Sequence, residues 1–267
     1  MKKILFIQLT GGLGNQLFQV SNAISLYKAL NKPIIIWIYS GNSEIYKAHE
    51  KSRLQDIGIQ GLCISGLMGI WLRRFLKLRV FSKIIYKVHD NNSQVEITKK
   101  IIYFTQGLYQ CLPSLSTRRF FNIRMKLRSY NSLYSALHVR LGDYISDYTQ
   151  NEIGLLGPSY YNKSLEKLHQ LNMPIYIVTD GEDQQIDELF VNTKIPYKIK
   201  RGLDDLDDLS FISNASGIVM SNSTFSLWGS YLSKCTYVIA PRDWLPTLQS
   251  SQKEKKNPRL MKEWELL

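Results

Sequence analysis

Cysteine and histidine are scarce in this chain of 267 residues, and their scarcity removes several function classes. Cys63, Cys111 and Cys235 are odd in number, far apart and in no CxxC pair. That excludes a disulfide framework and a cysteine-held structural zinc, and it fits a reducing compartment. His49, His89, His138 and His169 are equally scattered, so no metal site is read from them. Long apolar runs are missing too. The nearest candidate, Ile59–Leu72, is interrupted by Gly61, Gly66 and Gly69 and falls short of the roughly 18–20 apolar residues of a membrane span. Lys2 and Lys3 lead into a short apolar run that soon meets a Gly-rich turn, too short for a signal-peptide core. The expectation is a soluble or peripheral protein.

The shortage of acids is local. Residues 1–134 hold 20 Lys and Arg against 5 Asp and Glu, a balance of +15. Residues 135–267 hold 14 against 17, a balance of −3, so the whole excess of +12 lies in the first half. Such asymmetry points to an acidic partner, which nucleic acid, anionic lipid or a phosphorylated substrate would each supply. A solvated basic face kept for solubility is the plainer alternative. Trp71–Arg79 and Phe120–Arg128 interleave cations with apolar residues, as membrane-surface and single-strand-binding segments do. Ordinary helices that snorkel their Lys and Arg ends have the same composition.

The chain is long enough for two domains of about 100–150 residues. Lys2–Leu9 reads as a buried parallel strand, Thr10–Gln16 as a Gly-rich turn, Leu17–Leu30 as a helix and Ile34–Ile38 as a second strand. This is a βαβ unit. Gly12 and Gly14 fit G-x-G, but Leu17 stands where a dinucleotide fingerprint has its third glycine. The glycines still let the backbone approach a ligand, and the helix N-terminus still attracts an anion. Asn15 and Gln16 add neutral hydrogen-bonding groups there. Residues 40–134 are less readable. From Ser135 onward strands alternate with helices: strands at Ser135–Val139, Pro174–Asp180, Tyr197–Ile199, Gly217–Met220 and Thr236–Ala240, helices between them. That pattern is a second doubly wound α/β domain.

Three of these strands end in polar groups: His138–Asp143, Thr179-Asp180 and Ser221–Ser226. If the strands are parallel, all three lie on one edge, where open α/β sheets bind ligands. Arg140 offers a planar fork suited to a diphosphate. Ser221, Asn222, Ser223 and Thr224 open a helix and form a nest for an anion. Asp180 can accept hydrogen bonds from a base or a ribose. Local alternatives stand beside each of these: Arg140 tied to Asp143, Ser221–Ser226 as a capping run, Asp180 as a turn residue. Their convergence favours a nucleotide diphosphate pocket. The run Asp204-Asp205-Leu206-Asp207-Asp208 reads as helix capping and surface charge rather than a metal motif.

Gly11-Gly12-Leu13-Gly14-Asn15-Gln16-Leu17-Phe18-Gln19, His138-Val139-Arg140-Leu141-Gly142-Asp143-Tyr144 and Ser221-Asn222-Ser223-Thr224-Phe225-Ser226-Leu227-Trp228-Gly229 stand in this order along the chain. In order and spacing they resemble the bacterial α-1,2-fucosyltransferases of glycosyltransferase family 11, from Lys2 to about Arg242. The resemblance implies an α/β fold of GT-B type, two Rossmann-like doubly wound domains with a cleft between them. It implies inverting, metal-independent transfer of fucose from GDP-fucose to the 2-hydroxyl of a galactose, with no cofactor. By the family pattern Arg140 grips the diphosphate and His138 lies beside it or the sugar. Asp180 with Phe225 holds the guanine, and Ser223 and Thr224 bind phosphate oxygens. Asn15 has a counterpart in the related protein O-fucosyltransferases that reaches the donor across the cleft. Gly12, Gly14, Ser221 and Asn222 complete the donor-binding set, and Asp143 is a weak candidate for the base.

Two departures stand out. Leu141 replaces the second arginine of the family's His-x-Arg-Arg-x-Asp, leaving Arg140 as the main charge, and Leu227 precedes Trp228 where paired tryptophans are common. The resulting expectation is an acceptor-side domain over 1–130, a GDP-fucose-binding domain over 131–250 and a tail over 251–267. The partners expected are GDP-fucose and a β-galactoside, carried on a lipid diphosphate in surface-glycan assembly, with no nucleic acid. The enzyme would then be cytoplasmic, its basic half against the anionic inner face of the membrane. The alternatives are a transferase that uses the same donor on another hydroxyl, a sugar-nucleotide-binding protein without catalysis and, from another class, a basic nucleic-acid-binding protein.

Overall fold

Apolar runs that begin every domain half become buried parallel strands, and the two sheets they build divide the chain. The computed structural model describes residues 2–39, 52–88, 99–104, 110–142, 154–244 and 259–267. It separates into two compact units, Met1–Lys126 and Leu127–Leu267. The first boundary of the sequence reading stands at 130/131.

The first unit holds β1 (Ile4–Leu9), α1 (Leu13–Ala29), β2 (Ile34–Tyr39), β3 (Leu62–Ser65), α2 (Gly66–Lys77), β4 (Ile85–Val88), β5 (Ile101–Phe104) and α3 (Leu115–Arg124), with a 3-10 turn at Arg79–Phe81. Its sheet runs β3-β2-β1-β5-β4, and each neighbouring pair is parallel. Ile38, Leu76, Ile85 and Tyr103 form a buried cluster between α2 and the sheet.

Helix α1 begins at Leu13, four residues before the expected Leu17. Gly11 sits at φ 73° and completes the turn in a single residue. The Gln16 N–H then donates to the Gly12 carbonyl (3.1 Å), closing the first helical turn. Gly14 and Asn15 therefore lie within the helix's first turn.

The second unit holds β6 (Ser135–Val139), α4 (Pro158–His169), β7 (Ile175–Thr179), α5 (Asp183–Leu189), β8 (Lys198–Lys200), α6 (Asp205–Asn214), β9 (Gly217–Val219), α7 (Thr224–Leu232), β10 (Val238–Ala240) and β11 (Glu265–Leu266). Its sheet runs β11-β10-β9-β6-β7-β8, parallel throughout. Numbered from β6, this is the Rossmann order, which reverses between β6 and β9. Leu137, Val139, Ile175, Ile177, Val219 and Ile239 fill its core against α4 and α5.

The expected tail is corrected at its end. Glu265–Leu266 pairs with Ile239–Ala240 as an edge strand, and Trp264 is buried beneath it. Two exchanges hold it: Leu267 N–H to the Ala240 carbonyl (3.0 Å), and Arg242 N–H to the Leu267 carbonyl (2.7 Å). The Lys-rich stretch 252–257 lies outside the described residues.

Candidate active site

The point where strand order reverses carries the polar groups that the sequence singled out. β6 is buried along its whole length and pairs β7 on one side and β9 on the other. The register sets His138 against Val178 and Val139 against Thr179, so Arg140 and Asp180 emerge side by side. On the other flank Leu137 pairs Val219, which brings Ser221 up beside His138. The three strand ends do share one edge.

Arg140 is paired with Asp180, its Nη1 on Oδ2. Asp180 Oδ1 also accepts the backbone N–H groups of Leu141 (2.9 Å) and Gly142 (3.2 Å). A Cβ on Gly142 would run into that carboxylate, so a glycine lets the loop approach it this closely. Asp180 thus has a role the sequence left unassigned: it is the counter-ion of Arg140 and the clamp of the loop after β6. Asp143, the partner first considered for Arg140 and a candidate base, lies outside the described residues, as does Tyr144.

His138 is buried, and its Nδ1 stands 2.7 Å from Ser221 Oγ. Burial pushes its pKa down from 6.5 to about 4, with the Asp180 charge opposing and the Arg140 charge adding. The ring is therefore neutral near pH 7 and meets its surroundings as a hydrogen-bonding group. Phe225 lies beside it, ring centroids 5.6 Å apart.

The Ser221–Ser226 run does more for the fold than an open nest would. Ser221 is fully buried against His138, and its Oγ lies 3.4 Å from Ser226 Oγ. Asn222 is buried and donates to the Gly154 carbonyl (3.0 Å). Ser223 caps α7, its hydroxyl accepting from Phe225 N–H (3.3 Å). Thr224 and Phe225 are half-buried at the helix's first turn, where N–H groups and the helix dipole favour an anion.

In the first unit the loop before α1 is fastened by amides. Gln19 accepts from Thr10 N–H (3.0 Å), and buried Gln16 donates to the Gly11 carbonyl (2.9 Å) while accepting from Arg53 N–H (2.8 Å). Gln16 is thus a structural clamp, Gly14 is buried, and Gly12 and Asn15 are half-buried.

Arg201 was missed in the sequence. It directly follows β8, its Nη1 donates to the Thr179 carbonyl (3.1 Å), and its Nη2 pairs with Asp183 (2.5 Å). The strand-end logic that selected Arg140 applies equally to it. The acidic run is also more than surface charge. Asp204 caps α6, whereas Asp207 is buried and accepts from Arg128 (2.9 Å), Tyr130 (2.9 Å) and Lys200 (3.3 Å). Among the described residues no group of three or more His, Cys, Asp or Glu converges.

The family model for glycosyl transferase family 11 matches residues 112–267, the part that carries this edge. The chain belongs to glycosyltransferase family 11. An Escherichia coli α-1,2-colitosyltransferase is 25% identical over 272 residues, covering 90% of this chain and 92% of that protein. The Escherichia coli O-antigen biosynthesis glycosyltransferase WbnK is 26% identical over 129 residues, 46% of this chain and 43% of that protein. Among solved structures, the NodZ α-1,6-fucosyltransferase of Bradyrhizobium soaked with GDP-fucose superposes with TM-score 0.53 at 13% identity. That likeness covers 87% of this chain and 93% of NodZ. The family 11 chain accordingly has the GT-B-type architecture of two α/β domains with parallel sheets. No helix among its described residues is long and apolar enough to cross a membrane.

Proposed function

We propose that this family 11 enzyme is an inverting, metal-independent galactoside α-1,2-fucosyltransferase, moving L-fucose from GDP-β-L-fucose to the 2-hydroxyl of a terminal galactose. Its setting would be O-antigen or other surface-glycan assembly, on the cytoplasmic face of the membrane. The observation that carries the reading is the switch point of the second sheet. There a cation, a neutral buried histidine and a helix N-terminus meet at the carboxyl ends of β6, β7 and β9. The NodZ crystals soaked with GDP-fucose and the colitosyltransferase's α-1,2 linkage support the donor and the linkage.

Fucosyl transfer develops oxocarbenium character on the sugar while negative charge grows on the departing GDP. Arg140 is the group to meet that charge, exchanging the Asp180 carboxylate for the diphosphate as the donor binds. Asp180, released from the guanidinium, would then accept from the guanine, with Phe225 against the base. The two roles are linked: the group that neutralises Arg140 before binding recognises the base after it. With Nδ1 taken by Ser221, His138 reaches the donor through Nε2. Thr224 and the first-turn N–H groups of α7 complete the phosphate contacts. The acceptor hydroxyl loses its proton to Asp143 or to a diphosphate oxygen.

The full-length similarity to a colitosyltransferase favours a second reading. Colitose is a fucose that lacks one ring hydroxyl, so the same site could take its nucleotide instead. The test is release of GDP from each nucleotide sugar with a β-galactoside present. Faster release from GDP-fucose than from the colitose and mannose nucleotides supports the fucosyl reading, and preference for colitose replaces it.

A further inference from the structure

One side of α2 is anchored and the other is bare. Gly69 and Leu76 are buried, and a Cβ on Gly69 would stand 2.9 Å from the carbonyl oxygens of Tyr39 and Ile64. The helix therefore lies hard against the ends of β2 and β3. On the opposite arc Leu67 (75% exposed) and Trp71 (68%) stand with Phe75 and Met68, all exposed. Leu67, Trp71 and Phe75 recur every four residues and so line one stripe. Leu78 and Val80 continue the exposed apolar surface into the following turn, where Phe81 packs on Phe75 with ring centroids 4.4 Å apart.

Cations border this stripe. Arg73, Arg74 and Lys77 occupy one flank of the same helix, and Arg79, Lys83 and Lys87 follow. Between Ser52 and Val88 stand seven Lys and Arg and a single acid, Asp56, which Arg53 occupies at 2.5 Å. Burial, together with Arg73 and Lys87 close by, pushes the Lys77 ammonium down.

We propose that this face of α2 and the turn after it form a docking surface for an anionic phospholipid bilayer. The apolar stripe enters the interfacial region, and the bordering cations lie against the headgroups. Charge decides between occupants. A second copy docked face to face would set these cations against their own kind. Nucleic acid would meet the cations and stack on Trp71 and Phe75 but leave Leu67, Met68, Leu78 and Val80 unburied. An anionic lipid surface satisfies both halves of the patch at once. The surface belongs to the first unit alone and gives the membrane contact in the proposed function its residues.

Trp71 supplies its own probe, because Trp37, Trp228, Trp244 and Trp264 are buried. The full chain, without donor or acceptor, is mixed with phosphatidylglycerol–phosphatidylethanolamine vesicles or with phosphatidylcholine vesicles, and flotation and tryptophan emission are followed. The expected result is flotation with the anionic vesicles only, a blue shift of emission and quenching by brominated lipid. Arg74→Gln with Lys77→Gln should weaken partitioning about thirtyfold, since each cation near an anionic surface contributes about a factor of five. Leu67→Ser with Phe75→Ser should weaken it at least about tenfold, with unchanged thermal midpoints in both pairs. Equal binding to both vesicle types, no binding, a dimer that buries Trp71, or Trp71 quenched by an oligonucleotide but not by vesicles would each overturn the proposal. Because sugar transfer is not read, that failure would leave the transferase reading standing.

Discussion

Replacing Arg140 with alanine separates the chemistry of the switch point from its contribution to the fold. The side chain is 20% exposed and its partner Asp180 is 32% exposed, so the ion pair is screened and contributes no more than about 1 kcal/mol to stability. Asp180 keeps its two backbone N–H donors from Leu141 and Gly142 after the change, so its carboxylate is not stranded. Catalysis should respond on another scale. Removing a preorganised donor aimed at developing charge lowers kcat by roughly 10²–10³, about 3–4 kcal/mol of transition-state stabilisation. A full guanidinium charge on a departing diphosphate belongs at or beyond the upper end. Arg140→Lys keeps the charge without the fork and should fall between wild type and alanine. The assay pairs GDP release at saturating donor with a thermal melt of each variant. A folded Arg140→Ala enzyme within about threefold of wild-type kcat would refute the assignment.

Ser221→Ala leaves His138 Nδ1 buried without its 2.7 Å partner. We expect a loss of about 1–3 kcal/mol in denaturant melts, with a kcat decrease larger than any change in KM. Gly142→Ala drives a methyl into the Asp180 carboxylate and so disturbs the Arg140 pair. Transfer should drop at least about tenfold with little change in melting, because the residue is exposed. The pH dependence of stability holds two opposed contributions. His138 has its pKa depressed from 6.5 to about 4, so the unfolded chain takes up the proton first and stability falls as pH drops through that window, by about 3 kcal/mol. Asp208 is raised from 3.8 to about 6 by burial, against the opposing Gly202 N–H bond and Lys200 charge. The folded chain protonates it first, and stability rises as pH falls from 6 to 3.8, by at most about 3 kcal/mol and less with solvent screening of this partly exposed carboxylate. Asp208→Asn should therefore steepen acid destabilisation between pH 6.5 and 4, and an unchanged profile in urea melts would contradict the assignment of these shifts.

The strand ends of the second domain were legible because each buried run stops abruptly at a polar residue, as at Val139-Arg140 and Thr179-Asp180. Parallel pairing then brought them to one edge. What joins them was not legible. The Arg140–Asp180 pair and the His138–Ser221 contact depend on register between strands far apart in sequence, and no local pattern encodes register. The start of α1 was misplaced because Gly14 and Asn15 have loop composition, while the single positive φ of Gly11 had already turned the chain. β3, β4 and β5 are four residues each and escaped notice because residues 40–134 show no regular alternation of apolar runs with helical patterns. In the second domain that alternation made even three-residue strands legible. α2 was obscured for another reason: its apolar stripe faces outward, so composition and burial disagree along it. β11 is two residues at an edge, held by backbone pairing rather than by a pattern of side chains.

The central claim is tested most directly by the structure of the product. The purified chain is incubated with GDP-fucose and a terminal β-galactoside, and the glycan formed is solved by NMR. The account predicts one new fucose with an α-anomeric coupling and a through-bond correlation to galactose C2. Fucose on another hydroxyl, a β-anomer, or no transfer from GDP-fucose while another nucleotide sugar is consumed would contradict it.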